Sequence, residues 1–270
     1  MQCIEQTKIS VPPERKPLVI NNEECYVAFL DILGFKEYVK STDPDDVLKI
    51  FQDLQKVKER LARDILGFAQ TDEIKKIANT LPQSLYLYIM SDSVILAINC
   101  CHEGALHFLI RYCQIMQEQL LSKYHLLLRG GISKGIYYGD QTINFGRGMI
   151  KAYEFEGKAK YPRILIDEKI LSELKPTPIP FINCSDEIKT ETIEKHDIHY
   201  INVANNILLD LLSCCKWITD ETRKQSGVLE KYRWLEQQLY HEIEKNDAET
   251  QDKIAEEEYF KEVQSNENPV

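Results

Sequence analysis

Apolar positions along the chain fall into short runs whose period changes from strand-like to helix-like and back. Cys25–Asp31 alternates and is bulky, the pattern of a strand. Asp43–Pro44–Asp45 has the signature of a helix start: an aspartate that can cap, then a proline suited to the first turn. Val47, Ile50, Phe51, Leu54, Val57, Leu61 and Ile65 follow at helical spacing to about Leu66. Gly67–Pro82 is polar and reads as a connection, partly helical. Leu85–Met90 and Val94–Asn99 flank Ser91–Asp92–Ser93, which predicts a hairpin with Asp92 in its turn. His102–Lys123 is an amphipathic helix with Leu106, Leu109, Ile110, Cys113, Met116 and Leu120 facing inward.

His125–Ile132 is the next strand and carries Arg129–Gly130–Gly131. Gly135–Asp140 continues the sheet beyond a bend at Ser133–Lys134. Asn144–Gly148 leads into a helix from about Met149 to Lys158. Arg163–Ile166 is a strand, Asp167–Leu174 a helix, and Lys175–Pro180 a turn-rich break. Residues 181–203 are expected to contain strand, and Leu208–Ile218 and Val228–Lys245 to be helices. The order of strand, helix, hairpin, helix, strand, helix, strand predicts an α+β sandwich, with helices on one face of a mostly antiparallel sheet. The divisions that follow are an N-terminal arm over residues 1–22, a main domain over 23–204, a helical extension over 205–245 and an acidic tail over 246–270. The arm is Pro-rich and polar, and it and the tail are expected to be loose.

Composition narrows the class. The 270 residues are 43% hydrophobic and 28% charged, proportions of a soluble globular protein with a sizeable core. No apolar run approaches the roughly 20 residues of a membrane span. The first residues lack the apolar stretch of a signal peptide, so the cytoplasm is the expected location. The eight cysteines include no C-x-x-C pair and no zinc spacing, and are expected to be reduced core thiols. A net charge of −10 argues against general nucleic-acid binding. The charge is uneven. Lys123–Arg163 holds eight basic against three acidic residues, a surplus that suits an anionic ligand, and Glu242–Glu262 holds nine acidic against three basic.

Two acids stand out. Asp31 ends an apolar strand, and Gly34 follows three residues later, where a backbone can approach a ligand. Asp92 has a similar setting in its hairpin. Were the two strands neighbours, the carboxylates would converge and repel unless cations lay between them. Their hard oxygens favour Mg²⁺ or Mn²⁺ over zinc, two ions per site.

The segments AFLDILGF, MSDSV, LLLRGGISKG and GRGMIKAYEFE, in that order, resemble the class III nucleotide cyclase domain over roughly Cys25–Asp167. Phe29, Asp31, Ile32, Gly34 and Phe35 match that family's first motif. The resemblance implies a ferredoxin-like sandwich with added C-terminal helices. It implies that Asp31, Asp92 and the Ile32 carbonyl hold the metals, that the backbone of Leu33–Phe35 cradles the triphosphate, and that Arg129 contacts phosphate. It also implies a homodimer with sites at the interface, one chain giving the metals and the other the base and ribose contacts. Two departures matter. The base-reading position is Tyr88, and the asparagine and arginine of the purine enzymes fall at Ile150 and Glu154. Glutamate cannot stabilise phosphate charge, which leaves Arg147, Lys151 or Arg163 as candidates for that role. GRGMIKAYEFE with AKYPRILID is similar to the pyrimidine cyclases of the bacterial Pycsar antiphage system, as is the distal Lys231–Leu235 segment. That likeness implies a lyase making cyclic UMP from UTP as an antiviral second messenger. Cyclic CMP from CTP and a degenerate domain that binds without turnover are the alternatives.

Overall fold

Four strands and the helices between them form the centre of the protein, described by a computed structural model over residues 18–177, 184, 188–193, 196–201, 211, 212, 215 and 229–245. In chain order these are β1 (Ile20–Leu33), α1 (Phe35–Ser41), α2 (Pro44–Gly67), α3 (Asp72–Ser84), β2 (Tyr86–Met90), β3 (Ser93–Asn99), α4 (Ala105–Tyr124) and β4 (Leu127–Gly139). The strands lie in the order β2-β3-β1-β4, every neighbour antiparallel. This is the βαββαβ order of ferredoxin-like folds, so the α+β expectation holds, although helices pack on both faces of the sheet and not on one. β5 (Asn144–Phe145) pairs with β4, and α5 (Arg147–Lys158) and β6 (Ile164–Ile166) follow. β6 runs parallel to β4, and beyond it α6 (Glu168–Leu171), β7 (Ile188–Ile193) and β8 (His196–Ile201) complete the order β4-β6-β8-β7. Residues 229–245 are helical.

Strand alternation divides the sheet into two faces. Tyr26, Ala28, Leu30 and Ile32 of β1 join the main core with Ile50, Leu54, Val57 and Leu61 of α2, Leu81 of α3 and Phe108, Tyr112 and Met116 of α4. Asp43 caps α2 by accepting from Asp45 N–H at 2.9 Å, as the sequence suggests. Cys25, Val27 and Phe29 point to the other face, where α5 lies across β4 and β1. That contact is very close: a Cβ on Gly131 would sit 2.4 Å from both Ala152 O and Phe155 Cβ. Gly131 and Gly135 of LLLRGGISKG therefore serve helix–sheet packing, while Gly130 makes room for Leu30 of β1. A separate cluster joins Leu33, Leu121 and Leu127 to Leu211, Leu212, Cys215, Tyr232, Leu235 and Leu239, seating the C-terminal helix on the end of the sheet.

Several boundaries differ from the sequence pattern. β1 starts at Ile20, so residues 20–22 of the expected arm are strand; residues 1–17 lie outside the described residues. Exposed Asn21–Glu24 masked this start, because there is no apolar alternation in the overhang. The polar connection is a helix, α3, capped by Thr71 accepting from Ile74 N–H at 3.3 Å, with Pro82 inside it. Helix α1 was not anticipated: only Phe35 in its seven residues is buried. β4 is continuous through Ser133–Lys134, and α6 ends at Leu171. The expected strands at 181–203 are β7 and β8. Of the expected helix at Leu208–Ile218, residues 211, 212 and 215 are described and helical; the acidic tail lies outside the described residues. The six described cysteines are free thiols, four of them buried, and burial pushes the Cys25 thiol up to about 12. No helix among the described residues is long and apolar enough to cross a membrane.

Candidate functional site

Register places the site. Met90 of β2 faces Ser93 of β3, Ser93 faces Asp31 of β1, and Asp31 faces Arg129 of β4. These four positions make one row across the sheet, on the face that α5 covers in part. The row behind it is Tyr88, Ile95, Phe29 and Gly131. Ser91 takes a left-handed backbone, φ +57°, at the hairpin turn, and the Asp92 carbonyl accepts from Ile32 N–H at 2.8 Å. That bond ties the hairpin tip to the strand end, so the backbones of Asp31 and Asp92 are neighbours.

Arg129 Nη2 donates to Asp31 Oδ2 at 3.0 Å and lies 2.5 Å from Glu156 Oε1. The Glu156 contact is an ion pair without hydrogen-bond alignment, and the buried Arg129 Nε has no partner. Glu156 sits on the underside of α5 with Gly148 and Ala152 and is 6% exposed. Burial pushes its carboxyl above the ordinary range; Arg129 opposes this, and Asp31 adds to it. Lys231, at the start of the described C-terminal helix, completes the cluster electrostatically. Burial lowers its ammonium, Arg129 lowers it further, and Asp31 and Glu156 oppose them.

The other predicted residues fall in different places. Gly34 adopts φ +84° and caps α1, so a side chain there would be strained. The Leu33 side chain belongs to the cluster under the C-terminal helix, and Phe35 packs on Phe51 in the main core. Only their backbones are available to a ligand. Phe29 meets Tyr153 edge-on at 5.2 Å. Tyr88 is half-buried on the site's face, one row behind Asp31.

The candidate cations do not gather here. Lys151 is bonded to the buried Asp167 carboxylate. Arg163 is 3% exposed, boxed by Tyr161, Tyr200 and Trp234 and paired with Glu191, so its guanidinium is enclosed as a structural cation. Arg147 is exposed at the start of α5, about 14 Å of helix from Glu156. Within one chain, α5 brings only Glu156 to Arg129. The signal for Glu156 lay in the stripe Gly148, Ala152, Glu156, where an acid occupies the third buried position at four-residue spacing. Lys231 stands likewise at the head of Leu235 and Leu239.

The donor set suits a divalent cation that prefers oxygen. It offers the Asp31 and Asp92 carboxylates and a backbone carbonyl. Among the described residues no hydrogen bond or ion pair engages the Asp92 carboxylate, and no group of three or more His, Cys, Asp or Glu side chains is arranged to hold a metal ion by itself. Mg²⁺ characteristically takes one or two carboxylates and completes its shell with water and substrate phosphate. The residues fit such an ion.

No protein-family model matches the sequence, and no curated protein matches it. Solved structures that resemble the chain include the catalytic core of a rhodopsin-guanylyl cyclase with converted specificity in complex with ATPalphaS, at 11% identity and TM-score 0.45, over 67% of this chain and 96% of that one. The adenylyl cyclase CyaB from P. aeruginosa aligns at 15% identity and TM-score 0.38, over 68% and 96%. A bacterial light-regulated adenylyl cyclase aligns at 12% identity and TM-score 0.41, over 74% and 99%. These are distant likenesses.

Proposed function

We propose that the protein is a nucleotide cyclase of the class III type that converts UTP to 3′,5′-cyclic UMP and pyrophosphate, as a second messenger in antiphage defence. The observation that carries this reading is the meeting of three separate sequence motifs at one end of one sheet face: Asp31, the hairpin of Asp92 bonded to Ile32, and Arg129. Tyr88, one row behind, supports a pyrimidine, because a ring at that position leaves less room than a lysine and offers a stacking face. Cyclic CMP from CTP is the competing product.

Asp31, Asp92 and the Ile32 carbonyl are the residues that would hold Mn²⁺ or Mg²⁺, two ions per site. When bound, such ions lower the pKa of the ribose hydroxyl and neutralise phosphate charge. The 3′-oxygen forms a bond to the α-phosphorus, the bond from that phosphorus to the bridging oxygen breaks, the hydroxyl proton passes to solvent, and pyrophosphate leaves. The chain's part is positioning and charge. Arg129 turns its guanidinium from Asp31 toward phosphate, and the Leu33–Phe35 backbone holds the triphosphate.

A homodimer is part of this reading. Met90, Ile150 and Tyr153 are 59%, 60% and 57% exposed beside the site, an apolar surface that a second copy would bury. Such a copy would present its own Tyr88, Arg147 and Lys151 to the metal-bearing row, Lys151 leaving Asp167 to do so.

The test is direct. The purified protein is incubated with each of the four nucleoside triphosphates and Mn²⁺, and products are identified by mass spectrometry. Cyclic UMP is the expected product. Cyclic CMP alone moves the substrate to CTP, a cyclic purine alone removes the argument from Tyr88, and no cyclic product from any of the four overturns the enzyme.

A further inference from the structure

The triphosphate that this reading places at Arg129 carries about four negative charges, and one arginine shared between two carboxylates is a weak counterpart. Within one chain the other candidate cations are spent elsewhere or distant: Lys151 on Asp167, Arg163 in its aromatic box, Arg147 at the far end of α5. The C-terminal helix brings a further one. Its seat is the Leu33–Leu127 pair, two residues beyond Asp31 and Arg129 on the same face of the same two strands. Three contacts fix it there. Tyr232 donates its hydroxyl to the His125 carbonyl at 2.6 Å, Leu235 clusters with Leu127, and Trp234 stacks on Tyr161 at 5.0 Å and 3° between planes. Lys231, one residue before Tyr232, is half-buried and within electrostatic range of Arg129, Asp31, Glu156 and Glu230.

We propose that Lys231 is a phosphate-binding residue of this site, supplied by the same chain's C-terminal helix. Asp31, Glu156, Arg129 and Lys231 sum to zero formal charge. Metal ions on Asp31 therefore leave two cations and one acid facing the substrate, a net attraction for polyphosphate. The extension beyond the sheet becomes a wall of the catalytic site. This assignment rests on the nucleotide-cyclase reading for its substrate and on helix docking for its place.

The experiment measures binding and turnover separately. Pyrophosphate and UTP, each with Mn²⁺, are titrated calorimetrically into the full chain and into Lys231→Gln, Lys231→Arg and Arg233→Gln. Arg233→Gln removes the same charge from the exposed side of the same helix. The expected result is at least about a tenfold loss of affinity for both probes in Lys231→Gln, restoration in Lys231→Arg, and no change in Arg233→Gln. Far-ultraviolet circular dichroism and thermal melts establish that each variant is folded. Unchanged affinity in folded Lys231→Gln overturns the proposal, as does an equal loss in Arg233→Gln, which would mark a diffuse field. Wild-type turnover separates the two readings. Lys231-dependent binding without cyclic product sinks the cyclase and keeps the phosphate site; turnover with no Lys231 effect does the reverse.

Discussion

On one face of β1, Tyr26, Ala28, Leu30 and Ile32 are sealed beneath a layer of three helices; on the other, Cys25, Val27, Phe29 and Asp31 lie partly under α5, with the C-terminal helix seated on Leu33 at the strand's end. The same strand thus supplies a closed apolar interface and an open edge where charge survives. The sealed side is held by area. The open side is held by a smaller apolar cluster and by close approach of backbones at Gly131, and it carries a charge cluster that the hydrophobic effect does not stabilise. A site for a polyanion suits the second kind of face, because the first is filled by apolar side chains.

The comparison predicts that activity and stability separate by face. The largest effect is expected from Asp31→Ala and Asp92→Ala, each losing turnover by at least about 10³-fold while the fold is kept. Product formation and circular dichroism check both, and full activity in either folded variant breaks the metal assignment. On the sealed face, Phe108→Ala removes a fully buried ring and should cost about 3–5 kcal/mol of stability. Urea unfolding measures it, and turnover at a temperature where the variant is folded should stay near wild type. Gly131→Ala tests the boundary between the two kinds of effect. Its methyl meets the backbone of α5 within 2.4 Å, so overpacking should cost about 1–3 kcal/mol and also displace Glu156 from Arg129. Lower stability with turnover fully intact would show that α5 can shift without consequence for the site.

What sequence could show follows the same division. β1, the hairpin, α2 and α4 were legible because each buries a stripe with a local period, as Ile50, Leu54, Val57, Leu61 and Ile65 do. The positions of Asp31, Asp92 and Arg129 were legible because each sits in a short motif, and adjacency follows once the strands pair. The ion pair of Arg129 with Glu156 and the approach of Lys231 were not, since they depend on contacts between residues 27 and about 100 positions apart. Arg163 misled for the opposite reason. In sequence it is one more basic residue in a basic stretch; in the fold three rings from distant segments enclose it. Helix α3 was legible only as a partly helical connection, because its polar surface hides a stripe of Ile74, Ile77, Ala78 and Leu81, and Pro82 argues against a helix.

The smallest expected effect concerns the buried acid of the open face. Glu156 has its carboxyl raised by burial more than Arg129 lowers it. A group with a raised folded pKa binds more protons folded than unfolded between the ordinary glutamate value, about 4.3, and its own. In that window stability falls as pH rises, and above it the loss is constant. Glu156→Gln keeps the shape and has no proton to lose. At low pH the two proteins should match, since a protonated carboxyl and an amide are alike here. As pH rises through the window the variant should become the more stable of the two, and the gap should then level off. Urea unfolding of both proteins between about pH 4 and 7, with chelator present to keep Asp31 free of metal, reads the sign. The opposite slope would mean that Arg129 and Lys231 together hold Glu156 as an anion at a gain. The open face would then be stabilised by its charges, and its difference from the sealed face would be one of means and not of cost.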